Sequence, residues 1–296
     1  MFPKALLVRA TLNTAAYIAP ALAGRAVFHL FVRPAGRPRV KPAEEPLMAA
    51  ARVGRIRIGG QAGKSGKEAV TYAWGDGRRP VLLVHGWSSR ASRLAAFAEA
   101  LLDRGYSPVA FDAPGHGDAP GRTGNILEYR AIIRELHALH GDFEAVVAHS
   151  FGVSAALFAL RDGVRARRFV GISGVGSFAL LTAWFQGAFG MGDRAMRAMR
   201  RHVERRLAPD EPGVWEHLEA AWRPGDLDAP VLLVHDEADG MVPLAHAHVL
   251  AEAHAERARL VVTQGLGHRR ILNDPQIVAQ VVEFVTTERR AVGAVR

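Results

Sequence analysis

"AVVAHSFGVSAALFAL", residues 145–160, changes its period half-way along. Val146 to Ala148 form a short apolar run of the kind that fills a buried strand, and the residues after Gly152 read as a helix. Ser150 stands at the join, with small residues two before it (Ala148) and two after it (Gly152). Small flanks allow a sharp strand-to-helix turn that projects the hydroxyl upward, the arrangement of a nucleophile elbow. A lone serine in such a place is more often a helix N-cap. The surrounding pattern has to decide between the two.

Outward from this point the pattern is regular. "PVLLVHGW" (80–87), "SPVAFDAP" (107–114), "RRFVGISG" (167–174), "PVLLVHDEAD" (230–239) and "RLVVTQGLG" (259–267) all read as strands. Helical segments are expected between them, near 93–104, 126–140, after 150, near 244–255 and from 275. Continuous apolar strands alternating with amphipathic helices indicate a mostly parallel sheet covered on both faces. Upstream, "ARVGRIRIGG" (51–60) and "KEAVTYAWGDG" (67–77) alternate and suggest an antiparallel hairpin closed by a Gly/Lys/Ser turn. That turn resembles a phosphate loop in letters only: it is one residue short and leads into a strand. "GVGSFA" (174–179) matches a dinucleotide fingerprint in letters, but no strand with a terminal acid follows it.

In an open parallel sheet the ligand site lies at the carboxyl ends of the strands. A serine hydroxyl there needs a base to take its proton, and the base needs an orienting acid. "VLLVHDEADGMVP" (231–243) offers Asp236, Glu237 and Asp239 just past a strand, and "LVVTQGLGHRRIL" (260–272) offers His268 before the final helix. Spacing leaves Asp236 and Asp239 both open as the acid. The backbone N–H groups of Trp87 and Phe151 are the expected oxyanion donors, the second at a helix start. His85 and His116 are read as loop braces and His149 as packing beside the elbow. His246 and His248, two apart on a helix, face different ways and are no metal pair.

From about Val81 onward the chain resembles the α/β-hydrolase family. The resemblance rests on "HGW" (85–87), "FDAPGHGD" (111–118), "AHSFG" (148–152), "DGMVP" (239–243) and "GHRR" (267–270). It implies an eight-stranded, mostly parallel sheet with helices on both faces, and a serine hydrolase of esterase or lipase type. It favours Asp239 over Asp236 as the acid, and it implies neither metal nor organic cofactor. An acyltransferase using the same three residues, and a catalytically inactive scaffold that binds a membrane or partner, are the rival readings.

Composition frames the rest. The 296 residues contain no cysteine, which excludes disulfides, thiolate metal sites and a cysteine nucleophile. The net charge of +9 favours anionic partners, but its arginines look spread along the chain and no nucleic-acid motif accompanies them. Residues 1–45 are expected to be an amphipathic arm and extended linker, lying on the domain or on an anionic membrane surface. The stretch Ala10–Gly24 is too short to span a bilayer; a signal peptide ending near Ala21-Leu22-Ala23 is the lesser reading, and a cytoplasmic location the expected one. Residues 46–296 form the expected hydrolase domain, with 176–224 a helical cap inserted over the site. In the cap, Asp193 is expected to cap a basic helix whose Arg194, Arg197, Arg201 and Arg205 share one face. Phe178, Trp184, Phe185 and Phe189 are read either as an acyl-chain pocket or as the cap's own core.

Overall fold

The computed structural model describes residues 3–59 and 66–287; the turn expected between the hairpin strands falls outside them. Helices α1 (Pro3–Ile18) and α2 (Pro20–Phe31) come first, broken by Pro20, followed by the short α3 (Glu45–Ala49). The hairpin is β1 (Arg52–Ile58) and β2 (Lys67–Ala73). The repeat then runs β3 (Pro80–Val84), α4 (Ala95–Leu102), β4 (Ser107–Asp112), α5 (Ile126–His140), β5 (Ala145–His149), α6 (Phe151–Arg161) and β6 (Phe169–Ile172). Helices α7 (Phe178–Phe189), α8 (Asp193–Arg206) and α9 (Val214–His217) interrupt it. It resumes with β7 (Val231–Asp236), α10 (Ala245–Ala253), β8 (Ala258–Thr263), α11 (Gly267–Arg270) and α12 (Pro275–Thr286).

The strands form one eight-stranded sheet in the order β1-β2-β4-β3-β5-β6-β7-β8. Strand β2 runs antiparallel to β1 and β4, and all other pairs are parallel. Strands β3, β5 and β7 are buried along their whole length, which explains their unbroken apolar sequences. Alternate residues feed two cores. Leu82, Val84 and Val146 face Tyr129, Ile133 and Phe158, while Val81, Leu83 and Val147 face Phe97, Leu101 and Val281. Each such large side chain contributes roughly 1.5–3 kcal/mol on burial, so the sheet is a rigid base for the loops at its carboxyl edge.

The arm does not stand apart from the domain. Helix α2 crosses α8 so closely that a Cβ on Gly24 would overlap the Ala198 carbonyl. Ala16, Ala23 and Val27 of the arm share a small core with Phe185, Met191, Ala195 and Met199 of the cap. The linker is likewise held down. Ala35 N–H donates to Ser88 Oγ at 3.0 Å, and buried Glu44 accepts from Ser92 Oγ at 2.6 Å and pairs with Arg93. Asp193 is not the cap of α8: Gly192 occupies that position, and the Asp193 carboxylate accepts from Gln186 Nε2 at 2.7 Å.

Candidate active site

Ser150 lies between β5 and α6 at φ 56° and ψ −125°, a left-handed conformation costing about 1–3 kcal/mol for a residue with a side chain. The sheet imposes it. Ser150 N–H donates to Ile172 O at 2.9 Å, and its carbonyl accepts from Val153 N–H at 3.0 Å. Helix α6 then descends onto β3, and a Cβ on Gly152 would stand 2.7 Å from the carbonyl oxygens of Val84 and His85. Only glycine fits there, which is why the pattern has a small residue two past the serine.

His268 sits in α11, just after β8, with Asp239 in the loop after β7. Its Nδ1–H donates to Asp239 Oδ2 at 2.7 Å, leaving Nε2 as an acceptor 3.0 Å from Ser150 Oγ. Three residues 29 and 118 positions apart are thus joined end to end, and all three are buried. Burial alone would raise the Asp239 carboxyl. The hydrogen bonds from His268 and from the Val242 and Met241 amides outweigh it and hold the group down to about 2. Asp236 faces elsewhere: it accepts from Thr263 Oγ1 at 2.7 Å, Leu266 N–H at 2.9 Å and Ala238 N–H at 3.1 Å, tying together the loops that carry Asp239 and His268.

The loop after β3 passes directly beside the elbow, since a Cβ on Gly86 would stand 2.8 Å from Ser150 Cβ. The Trp87 and Phe151 rings meet edge-to-face with centroids 5.2 Å apart. Among the described residues, neither backbone N–H donates a hydrogen bond to a protein group.

Two residues do more than their types suggested. His149 Nε2–H donates to the His268 carbonyl at 2.9 Å, and His235 Nε2–H donates to Val242 O at 2.8 Å, so each braces a loop carrying a member of the chain of contacts. Their signal in the sequence is a histidine at, or one before, the end of an otherwise apolar strand. His85 spans the first two loops, donating from Nδ1 to Gly86 O at 2.7 Å and accepting from Ala113 N–H at 3.2 Å. Burial holds His85 down to about 4 and His149 and His116 to about 3, so all three are neutral near pH 7.

A family model for the alpha/beta hydrolase family matches residues 81–281. The chain belongs to that family. Among solved structures of this fold, a monoacylglycerol lipase of Paleococcus ferrophilus aligns with TM-score 0.57 at 24% identity, covering 73% of this chain and 98% of that one. An esterase of Pyrococcus furiosus aligns with TM-score 0.59 at 19% identity, covering 86% and 96%. A curated relative, a non-heme chloroperoxidase of Kitasatospora aureofaciens, is 31% identical over 128 residues, which is 40% of this chain and 42% of that protein.

On this hydrolase scaffold the four cap aromatics, read from the sequence as an acyl-chain pocket or as the cap's own core, lie in different surroundings: Phe31 of the arm touches both Phe178 and Phe185, and Trp184 stands apart. Phe178 alone of the four reaches the elbow, its ring centroid 6.5 Å from that of Phe151. Phe185 packs edge-to-face on Phe31 of the arm at 5.0 Å, and Phe189 packs on Phe185 at 4.8 Å. Trp184 is 64% exposed. The reason lies outside the cap's own sequence: α2 supplies the apolar surface that Phe185 buries against. Among the described residues no three His, Asp or Glu side chains converge as a metal site.

Proposed function

We propose that this alpha/beta hydrolase cleaves carboxylic esters, or similar acyl bonds, through an acyl-enzyme on Ser150. The observation that carries the reading is His268 bridging Ser150 and Asp239 at 3.0 and 2.7 Å. In this mechanism Ser150 Oγ attacks the acyl carbon while His268 Nε2 takes its proton. Asp239 keeps the imidazole in the tautomer with Nδ1 protonated and stabilises the imidazolium that forms. The Trp87 and Phe151 amides, with the N-terminus of α6 behind the second, donate to the oxyanion that develops on the former carbonyl. His268 then returns its proton to the leaving alkoxide. Water, deprotonated by the same imidazole, attacks the acyl-enzyme and releases the acid.

The aromatic group beside the elbow, Trp87, Phe151 and Phe178, supports a hydrophobic acyl group. The test is Ser150→Ala with a short activated ester and a fluorophosphonate probe. Turnover is expected to fall by on the order of 10⁴-fold or more, and labelling to vanish, with an unchanged circular dichroism spectrum. Retained turnover removes Ser150 from the mechanism. Offering an alcohol, an amine or hydrogen peroxide beside water identifies the acyl acceptor, the last because the curated relative is a chloroperoxidase.

A further inference from the structure

The face of the molecule built by the arm and the cap is unlike the surface of a water-soluble domain. Helix α7, "FALLTAWFQGAF", contains no charged residue, and an all-round apolar helix ordinarily lies wholly inside a protein. Here half of it is in solvent. Leu180, Ala183, Trp184, Gly187 and Ala188 are exposed at helical spacing along one side. The arm adds a second exposed apolar row. Asn13 of α1 donates from Nδ2 to Gly190 O at 3.1 Å and accepts from Gly192 N–H at 2.8 Å, fixing α1 against the corner between α7 and α8. The exposed side chains of α1 include Leu6, Leu7, Tyr17 and Ile18, the last 80% exposed. Scattered exposed hydrophobics need no explanation; an exposed apolar row on each of two helices joined at the Asn13–Gly190 corner does.

Charge is concentrated in the same two segments of the chain. Residues 3–31 and 178–206 together hold nine Lys and Arg against Asp193 and Glu204, which is +7 of the chain's +9. The positive excess is therefore not spread along the chain: two distant segments carry most of it, and they fold against each other. Arg194, Arg197, Arg201 and Arg205 of α8 are exposed, and the Arg194 guanidinium lies 4.6 Å from the Tyr17 ring centroid, joining the basic row to the arm. No helix of the described residues is long and apolar enough to cross a membrane.

We propose that the α1 and α7 apolar faces, flanked by the α8 arginines, form a dock for the surface of an anionic phospholipid bilayer. Aliphatic and indole groups enter the boundary between headgroups and acyl chains while arginines meet lipid phosphates, the division of labour of an interfacial amphipathic surface. A nucleic acid would match the arginines but leave Leu180 and Trp184 facing water. Docking sets α7 between the lipid and the elbow, because Phe178 at its start touches Phe151. It does not depend on the acyl chemistry proposed for Ser150.

The test is cosedimentation of the full chain with phosphatidylcholine vesicles, with and without phosphatidylglycerol. Binding is expected only when phosphatidylglycerol is present, and it should weaken as salt rises. Each basic residue near such a surface changes affinity about fivefold, so Arg197→Glu, Arg201→Glu and Arg205→Glu, which reverse three charges, together should cost at least on the order of a hundredfold. Leu180→Asp, in the first turn of α7 where an acid suits the helix dipole, should also weaken binding. Both variants should keep the wild-type circular dichroism spectrum and hydrolysis of a short soluble ester. Ser150→Ala should bind vesicles like wild type, which separates failure of the dock from failure of the esterase reading. Equal binding to neutral vesicles, undiminished binding by the variants, or tight binding to duplex DNA without vesicle binding would overturn the proposal. So would a dimer in sedimentation that Leu180→Asp dissociates, with no vesicle binding by either form.

Discussion

Asp236 ends β7 and Asp239 lies three residues beyond it, and both are buried carboxylates holding several hydrogen bonds. Only the acceptor of the His268 proton differs, and this makes opposite predictions for the two. Asp239→Asn should reduce kcat by on the order of 10⁴-fold, because an amide favours the wrong imidazole tautomer. Asp236→Asn should leave most of kcat but cost about 1–3 kcal/mol, since one of its oxygens serves both Thr263 and Leu266. Paired urea titrations and single-turnover assays distinguish them; the reverse pattern would make Asp236 the acid. Spacing along the chain leaves both residues open. Family resemblance prefers Asp239, and the hydrogen bond to His268 supplies the physical reason for that preference.

Elements are positioned here by close backbone approach as much as by apolar stripes. Gly24 is the contact point between α2 and α8, with the Ala198 carbonyl against its Cα. Gly24→Leu should part the arm from the cap at a cost of about 1–3 kcal/mol. Limited proteolysis should then release the segment ahead of residue 34 while the sheet stays intact; an unchanged digestion pattern and melting temperature would show that the arm is held by other contacts. Periodicity made α5 and α12 legible, at Ile126–His140 and from Pro275. It did not reveal what α7 packs against, because a helix with no charged residue has no polar stripe to mark its outer side. The four cap aromatics consequently read as a pocket or a core with equal weight, and only the arm's Phe31 separates Phe185 from Trp184.

At the scale of the molecule, buried histidines tie stability to pH. Burial holds His85 and His254 down to about 4 and His116 and His149 to about 3. In the unfolded chain each takes a proton near pH 6.5, while in the fold each stays neutral. Their folded values are depressed, so the stability they contribute is complete above about pH 6.5 and is lost as pH falls toward 4. At pH 5.5 each should cost roughly 1 kcal/mol relative to pH 7.5. Urea midpoints at pH 7.5, 6.5 and 5.5 should fall accordingly; a flat profile would mean that these rings are protonated inside the fold. The Asp239 carboxyl adds its own loss only below about pH 4, on the way to its folded value near 2.

The strand pattern, the small residues around Ser150, and the order serine, acid, histidine were all readable from the chain, because they are local properties or simple consequences of a parallel sheet. Burial of β3, β5 and β7 on both faces demands unbroken apolar runs, and the turn after β5 demands glycine at 152. Which carboxylate meets His268, what covers Phe185, and where the positive charge gathers were decided only in three dimensions. Each depends on contacts between segments more than a hundred residues apart or on the path of a loop, and neither hydrophobic periodicity nor residue type encodes which of two distant surfaces a side chain will meet.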